Sequence, residues 1–342
     1  MKAVFYHQWD QLPESANRLF TQSERTSIFY SRAWLEGLSS HALAEGQTIR
    51  LACVIQEGAV LAILPLFTSP RDGLRALSNQ FTTLFSVLVS ENGPREDILS
   101  CLAQGLSKIE ETTLRLEPID ANDGNLQSLY QHMESCGYIR EGYFRFYNWS
   151  HPVNGQSFDE YMNQRPANIR NMIKRKQRKL AREHPYQIRL YQKENIEQAI
   201  EDYQTVYLAS WKANEIFADF TPNIVKNFAR LGWLRLAVLY SDENPIAAQI
   251  WFVVHGKASI YRLAYDGRWK NYSPGSILTH HIMRHVIDDD KVTEIDYLTG
   301  NERYKQDWMT VQKERIGMHL VKSPMKEHWT NRVIELFKNQ WQ

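Results

Sequence analysis

Two segments in the last third of the chain hold residues whose types and spacing suit group-transfer chemistry. In the first, Asp266-Gly-Arg-Trp-Lys-Asn-Tyr-Ser-Pro-Gly-Ser276 runs into Ile277-Leu-Thr-His-His-Ile-Met-Arg-His-Val-Ile287. The second part of this stretch predicts a helix, and Pro274 falls in its first turn, where a missing N–H and a fixed φ are suited. A helix N-terminus carries unsatisfied N–H groups and a partial positive charge. Ser273, Pro274, Gly275 and Ser276 therefore form a candidate anion site, open to close backbone approach at Gly275, with Arg268 and Lys270 adding charge. In the second segment a strand pattern, Glu294-Ile-Asp-Tyr-Leu298, contains Asp296. A turn at Gly300 follows, then a short helix carrying Tyr304, Lys305 and Trp308. Tyr304 and Trp308, four residues apart, share a face.

His280, His281 and His285 lie on the first of these helices. The spacing of His281 and His285 permits shared metal ligation, but no HExxH pattern or third ligand accompanies it, so no metal is predicted. One of the three as a general base stays open. Cys53, Cys101 and Cys136 form no CxxC pair and lack a recognisable histidine partner. Neither a thiolate zinc site nor a disulfide framework is indicated.

A third stretch is basic. Residues 167–184 contain no Gly or Pro and are followed by Pro185. Ile169, Ile173 or Met172, Gln177 and Leu180 recur at helical spacing, a narrow apolar stripe. Between Arg170 and Glu183 seven residues are basic and one is acidic. That face is either simply solvated or a contact for something anionic. No aromatic residue interleaves with its charges, which argues against single-stranded nucleic acid.

The elements that would position these residues come in a repeated order. Arg50-Leu-Ala-Cys-Val-Ile-Gln-Glu-Gly58 and Arg235-Leu-Ala-Val-Leu-Tyr-Ser-Asp-Glu-Asn244 each lead into a second apolar strand, from Ala59 and from Pro245. Both read as hairpins. In the first half a strand follows at Thr83–Val89, a helix at Ile98–Glu111 and a strand at Thr113–Leu116. In the second half the counterparts are Ser259–Tyr265, Ile277–Ile287 and Glu294–Leu298. The helix of the first half begins Pro94-Arg-Glu-Asp97, and its two carboxylates would repel phosphate. The anion site is thus expected in the second half alone. Pro152, Asn154 and Gly155 break periodicity between the halves, and domains of 1–150 and 151–342 follow.

The 342 residues suit two domains. Forty basic against 39 acidic residues give no global field toward nucleic acid, and no DNA partner is predicted. Asp10 and Glu14 interrupt any signal-peptide core, and the longest apolar run, Ala59–Phe67, is too short to span a bilayer. A cytoplasmic location is expected.

Tyr265-Asp266, Ser273-Pro-Gly275, Leu278, Asp296, Gly300 and Tyr304-Lys-Gln-Asp-Trp308 together resemble the CelD-like acyltransferase group of the GNAT superfamily, which is related to Fem-type aminoacyl transferases. Phe29-Tyr-Ser-Arg-Ala-Trp-Leu35, Val60–Leu66, Arg165–Leu180 and Asn244-Pro-Ile-Ala-Ala248 agree, and the resemblance is strongest over 158–308. It implies an α/β (α+β) fold of two tandem GNAT-like modules, each a mixed, mainly antiparallel sheet flanked by helices, with the N-terminal module degenerate. It implies acyl transfer from a thioester, acyl-CoA or acyl carrier protein, to an amine on a small molecule, without a metal, in a setting such as cell-envelope or exopolysaccharide metabolism. Tyr304 then supplies the leaving thiolate with a proton, Lys305 holds an anionic donor group or steadies the oxyanion, and Asp296 receives the amine proton. Ser273–Ser276 and Arg268 bind the donor, Trp211 lines the acceptor pocket or packs in the core, and a carrier protein or tRNA docks on the basic helix at 170–182. The loop Tyr-Ser-Pro-Gly-Ser276 departs from the Gln/Arg-x-x-Gly-x-Gly/Ala pattern of enzymes that use acyl-CoA. A Fem-type transferase using charged tRNA and a non-catalytic GNAT-like binding protein therefore stay open.

Overall fold

The computed structural model describes residues 1–70, 73–213 and 216–323. The chain divides into two compact units. One comprises Met1–Arg145 with the described residues from Arg315 onward, and the other Phe146–Glu314. The first break lies close to the one read from sequence. The end of the chain differs: residues 315–323 belong to the first unit, not to the second module, and 324–342 lie outside the described residues.

In chain order the first unit holds β1 (Lys2–Tyr6), α1 (Ala16–Ser23), α2 (Arg32–His41), β2 (Thr48–Gln56), β3 (Ala59–Ser69), β4 (Gly73–Ala76) and β5 (Leu88–Val89). There follow α3 (Arg95–Leu106), β6 (Thr113–Asp120), α4 (Gly124–Ser135) and the start of β7 (Tyr138–Pro152). The second unit holds the rest of β7, then α5 (Phe158–Asn163), α6 (Ala167–Glu183), β8 (Tyr186–Tyr191), α7 (Ile196–Leu208), α8 (Phe220–Arg230) and β9 (Leu234–Ser241). It continues with β10 (Asn244–Val254), β11 (Lys257–Tyr265), α9 (Pro274–Asp288), β12 (Glu294–Thr299), α10 (Tyr304–Trp308) and the start of β13 (Val311–Lys322).

Strand order in the first unit is β1-β2-β3-β4-β6-β13, and in the second it is β8-β9-β10-β11-β12-β7. Pairing within each unit is antiparallel except for one parallel pair, β4 with β6 in the first and β11 with β12 in the second. The duplication in the sequence is therefore a duplication of topology, each unit a mixed, mainly antiparallel sheet with helices. The final strand is exchanged. Residues Arg315–Val321 of β13 pair with β6, and Asn148–Pro152 of β7 pair with β12. Each unit is completed by a strand from the end of the other repeat.

Both hairpins form, turning at Gly58 and at the positive-φ pair Asp242 and Glu243. The third strand of the first unit is not at Thr83–Val89. It is β4, and of the earlier segment only Leu88 and Val89 pair, with β3. Thr83–Val87 are largely buried but extended without a ladder, and Phe85 N–H bonds the Pro118 carbonyl instead. The helix read over Ile98–Glu111 begins at Arg95 and stops at Leu106.

Each unit has its own core. Leu64, Leu66, Leu74, Ile98, Leu102, Leu114, Leu116, Leu129 and Leu320 are buried together in the first. Trp251, Ile277, Ile282, Met283, Ile295 and Trp308 lie in the core of the second. Each such side chain contributes about 1.5–3 kcal/mol by leaving water.

Candidate functional site

The two segments singled out in the sequence follow the two strands of the parallel pair in the second unit. β11 ends at Tyr265, and a 3-10 turn over Gly267–Tyr272 carries the chain to α9. Ser273 turns the chain left-handed, at φ 53°, and Pro274 opens the helix. The first turn is braced from behind. Gln249, a polar residue 1% exposed on β10, donates from Nε2 to the Gly275 carbonyl at 2.9 Å and to Thr279 Oγ1 at 2.8 Å. Its Oε1 accepts from Trp251 Nε1 at 2.9 Å, and Thr279 bonds the Gly275 carbonyl at 3.0 Å. Gly275 lies beside the Tyr265 ring, which a Cβ there would meet at 3.4 Å.

Pro274 has no N–H, and those of Ser276 and Ile277 bond the Ser273 carbonyl. The Gly275 N–H is thus the donor of this turn that is left for a ligand. Arg268 is turned to Asp266, its NH2 group 2.6 Å from Oδ2. That pairing holds the Asp266 carboxyl below its usual range and the arginine above its own. The guanidinium is still 83% exposed.

At the end of β12 the backbone leaves its register between Asp296 and Thr299, and Leu298 adopts φ 56°. Left-handed geometry at a leucine is strained by about 1–3 kcal/mol, and side chains hold it in place. Asp296 Oδ1 accepts from Leu298 N–H at 2.7 Å and from Asn148 Nδ2 at 2.5 Å. Asn148 also donates to the Leu298 carbonyl at 3.1 Å. Asp296 Oδ2 faces Lys257 Nζ at 3.7 Å. This carboxylate is occupied on both oxygens.

Lys305 is 4% exposed, contrary to the habit of lysine. Its ammonium donates to the Thr299 carbonyl and, at 3.4 Å, to that of Tyr297, and it lies 3.2 Å from Glu302. Burial lowers its pKa, and Glu302 and Asp296 oppose that fall. Lys305 thus clamps the turn between β12 and α10.

Tyr304 is 40% exposed. Its ring meets Tyr297 edge-on at 5.9 Å. Partial burial and the charge of Glu302 raise its pKa above 10. Tyr297 is buried in the same core as Ile277 and Leu278, at the start of α9. Tyr304 thus rests on a residue of the core that also holds the start of α9: the structure brings the two segments onto one core. Tyr161 Oη and Arg165 NH1 bond the carbonyl of Trp308, the last residue of α10, at 2.6 and 3.0 Å. Trp308 itself is buried, so the face shared with Tyr304 is divided between core and surface.

The basic helix is α6, and Ile169, Ile173 and Leu180 are its buried stripe. It packs against the Gly267–Tyr272 turn and α9. Lys176 Nζ donates to the Asn271 carbonyl at 2.5 Å, and Lys179 lies 4.7 Å from the Tyr272 ring centre. Tyr272 in turn donates to Glu183 at 3.0 Å. The basic face thus adjoins the loop that leads to Gly275. Lys174, Arg175, Arg178 and Arg182 line an open cavity of about 450 Å³ on it.

His280 packs edge-on against Phe158 at 4.9 Å, and burial pushes its pKa down to about 4. His285 bonds Asp289 at 2.8 Å. Among the described residues no group of three or more His, Cys, Asp or Glu side chains is arranged to hold a metal. Trp211 is 59% exposed and lies 4.6 Å from Tyr265, so it borders the Gly275 turn and is not a core residue. No helix among the described residues is long and apolar enough to cross a membrane.

Sequence reasoning missed Gln249, Thr279, Tyr297 and Asn148. Gln249 had a signal: it is the lone polar residue in the apolar run Ile246–Val254. Asn148 and Thr279 had none, because their partners lie 150 and 30 residues away.

Residues 167–306 match the family model of the acetyltransferase (GNAT) domain. Comparison with curated proteins returns no match. Among solved structures, FemX aligns with a TM-score of 0.64 at 10% identity, covering 96% of this chain and 99% of that one. L-PGS from Bacillus licheniformis gives 0.53 at 12% identity, covering 96% and 98%. A tandem GNAT protein from the clavulanic acid biosynthesis pathway gives 0.52 at 11% identity, covering 93% and 98%. At these identities the likeness is one of fold.

Proposed function

Because the second unit of this chain carries a GNAT acetyltransferase-type domain, we propose that it transfers an acyl group from a thioester donor, an acyl-CoA or an acyl carrier protein, to the amine of a small molecule. The observation that carries this reading is the packing of Tyr304 on Tyr297, which shares its buried core with Ile277 and Leu278 just after the Gly275 turn. One core supports both the start of α9 and the ring beneath Tyr304, and positioning supplies much of the rate in such reactions.

In the reaction the amine nitrogen attacks the thioester carbonyl carbon, the C–S bond breaks and the nitrogen loses a proton. Both oxygens of Asp296 are engaged, so that proton passes to water. Tyr304 stays protonated at neutral pH, because its pKa is raised. A thiol has a pKa of about 8.5, so full transfer from this phenol to the thiolate is uphill. Its part is a hydrogen bond to the departing sulfur. Lys305 and Asp296 act by holding the turn that carries Tyr304. The amine belongs to an amino acid, an amino sugar or a cell-envelope precursor, and the reaction takes place in the cytoplasm.

An aminoacyl ester on tRNA is the second reading. Two observations favour it: the raised pKa of Tyr304 is better matched to an alkoxide leaving group, and few backbone donors remain at the start of α9. The basic face of α6, beside the Gly275 loop, serves the macromolecular part of the donor in either reading, an acidic carrier protein or the tRNA.

The test is a panel of labelled acyl-CoAs, acylated carrier proteins and charged tRNA offered with mixed amine acceptors. Amide formation from a thioester supports the first reading, and formation from charged tRNA alone supports the second. Donor binding without any transfer would make the chain a non-catalytic binding protein.

A further inference from the structure

The parallel pair of the first unit, β4 with β6, is built differently from its counterpart in the second. Arg75 on β4 stands directly opposite Arg115 on β6, and Arg115 stands directly opposite His319 on β13. Residues directly opposite in adjacent strands share a face. The preceding row, Leu74, Leu114 and Leu320, belongs to the apolar core, so the basic row lies on the other face. The two arginine side chains of that row repel one another.

One carboxylate is at hand. Glu117, two residues on from Arg115 and so on the same face of β6, has a side chain 10% exposed. Arg75 NH2 lies 3.1 Å from its Oε1 and Arg145 Nε 3.1 Å from its Oε2. Tyr143 donates to Oε2 at 2.5 Å. The Tyr143 ring rests on Gly317, where a Cβ would come within 2.3 Å of it. These partners fill Glu117. Arg115 has no carboxylate within ion-pair distance among the described residues, and its Nε is buried without a hydrogen-bond partner. A buried donor left unmet is destabilising, so this one calls for an acceptor. Arg75 and Arg145 remain 28% and 44% exposed, so the cluster is reachable from solvent.

We propose that Arg115, flanked by Arg75 and Arg145, forms an oxyanion-binding site in the first unit that receives the terminal phosphate or carboxylate of a small molecule. Guanidinium groups suit both ions because their paired N–H donors match two oxygens. Glu117 and Tyr143 hold Arg75 and Arg145 in place. The site is independent of the transfer reaction assigned to the second unit.

The test uses the full chain at constant ionic strength set with sodium chloride. Inorganic phosphate and, separately, acetate are titrated while the arginine Nε–H resonances and Tm are followed. A saturable shift of the Arg115 resonance with at least one of the two anions is expected. Phosphate alone would point to a phosphorylated ligand, and acetate alone to a carboxylate. Arg115→Met removes that resonance, so its anion affinity is read from the Arg75 and Arg145 resonances and the anion-dependent Tm, and it should be weaker by about tenfold or more, the equivalent of one charge-assisted hydrogen bond. Arg115→Lys, which keeps the charge and least disturbs folding, should weaken it less. Reversal of Lys174, Arg175 and Arg178 on the basic helix should leave it unchanged. No saturable response to either anion would overturn the proposal, as would Arg115 variants that bind as wild type does.

Discussion

Asp296 on its strand, and Tyr304 and Lys305 beyond the glycine turn that follows, could be singled out in the sequence, but their surroundings could not. A lysine in a sequence defaults to solvent, and nothing in Tyr-Lys-Gln-Asp-Trp308 says that its ammonium will close on Thr299 and Tyr297. Those contacts depend on the left-handed Leu298, which no local pattern announces. His151 lies in the same unit, 4% exposed, with Nδ1 2.9 Å from Thr310 Oγ1. Burial, with Arg165 nearby, pushes its pKa from 6.5 down to about 4. The unfolded chain therefore binds more protons than the folded one between those two values. The stability contributed by the neutral ring is complete above pH 6.5 and is lost as pH falls toward 4, by about 3 kcal/mol in all. Urea midpoints measured from pH 7 to 4 should fall for wild type, and His151→Asn should flatten that slope.

At the scale of elements, the helix at 167–184 and the start of α9 were read to within a residue or two, because apolar periodicity and a proline at the first turn are local signals. Their adjacency was not readable, since it rests on the Lys176–Asn271 and Tyr272–Glu183 bonds across about ninety positions. From that adjacency the charge on α6 should matter to the donor. Reversing Lys174, Arg175 and Arg178 to Glu should raise the donor KM at least tenfold at low salt, with little change in Tm. Wild-type affinity should itself fall as salt screens the face. Equal KM values for variant and wild type would leave α6 a solvated helix. Gln249→Leu removes the brace behind Gly275 and strands Trp251 Nε1. It should cost about 1–3 kcal/mol of stability, and kcat should drop although the residue touches no substrate. Calorimetry and turnover on the same preparation check both.

For the whole molecule, the duplication was visible as a repeated order of elements, whereas the exchange of final strands was not. Sequence order says which strand comes next, not which edge it joins, so the last strand was assigned to the second module. The short third strand of the first unit escaped for another reason. Gly73–Ala76 is four residues long, and the more β-like Thr83–Val89 drew the assignment away from it. The exchange has a consequence for stability. Leu320, fully buried in the core of the first unit, comes from the last described strand of the chain. Leu320→Asp should cost several kcal/mol and melt the first unit, seen as lost protection of β6 amides in hydrogen exchange. Protection of the β9 and β10 amides should survive, and simultaneous loss would mean that the two units unfold as one.

Departure of the leaving group beside Tyr304 is tested by single-turnover rates of acyl transfer for wild type and Tyr304→Phe with the donor found in the panel. The substitution keeps the ring against Tyr297 and removes the hydroxyl. Donor affinity and Tm should stay close to wild type, and the chemical step should slow by about 10²-fold with a thioester, rising toward about 10⁴-fold with an aminoacyl ester, whose leaving oxygen is more basic. An unchanged single-turnover rate in Tyr304→Phe would contradict departure beside Tyr304.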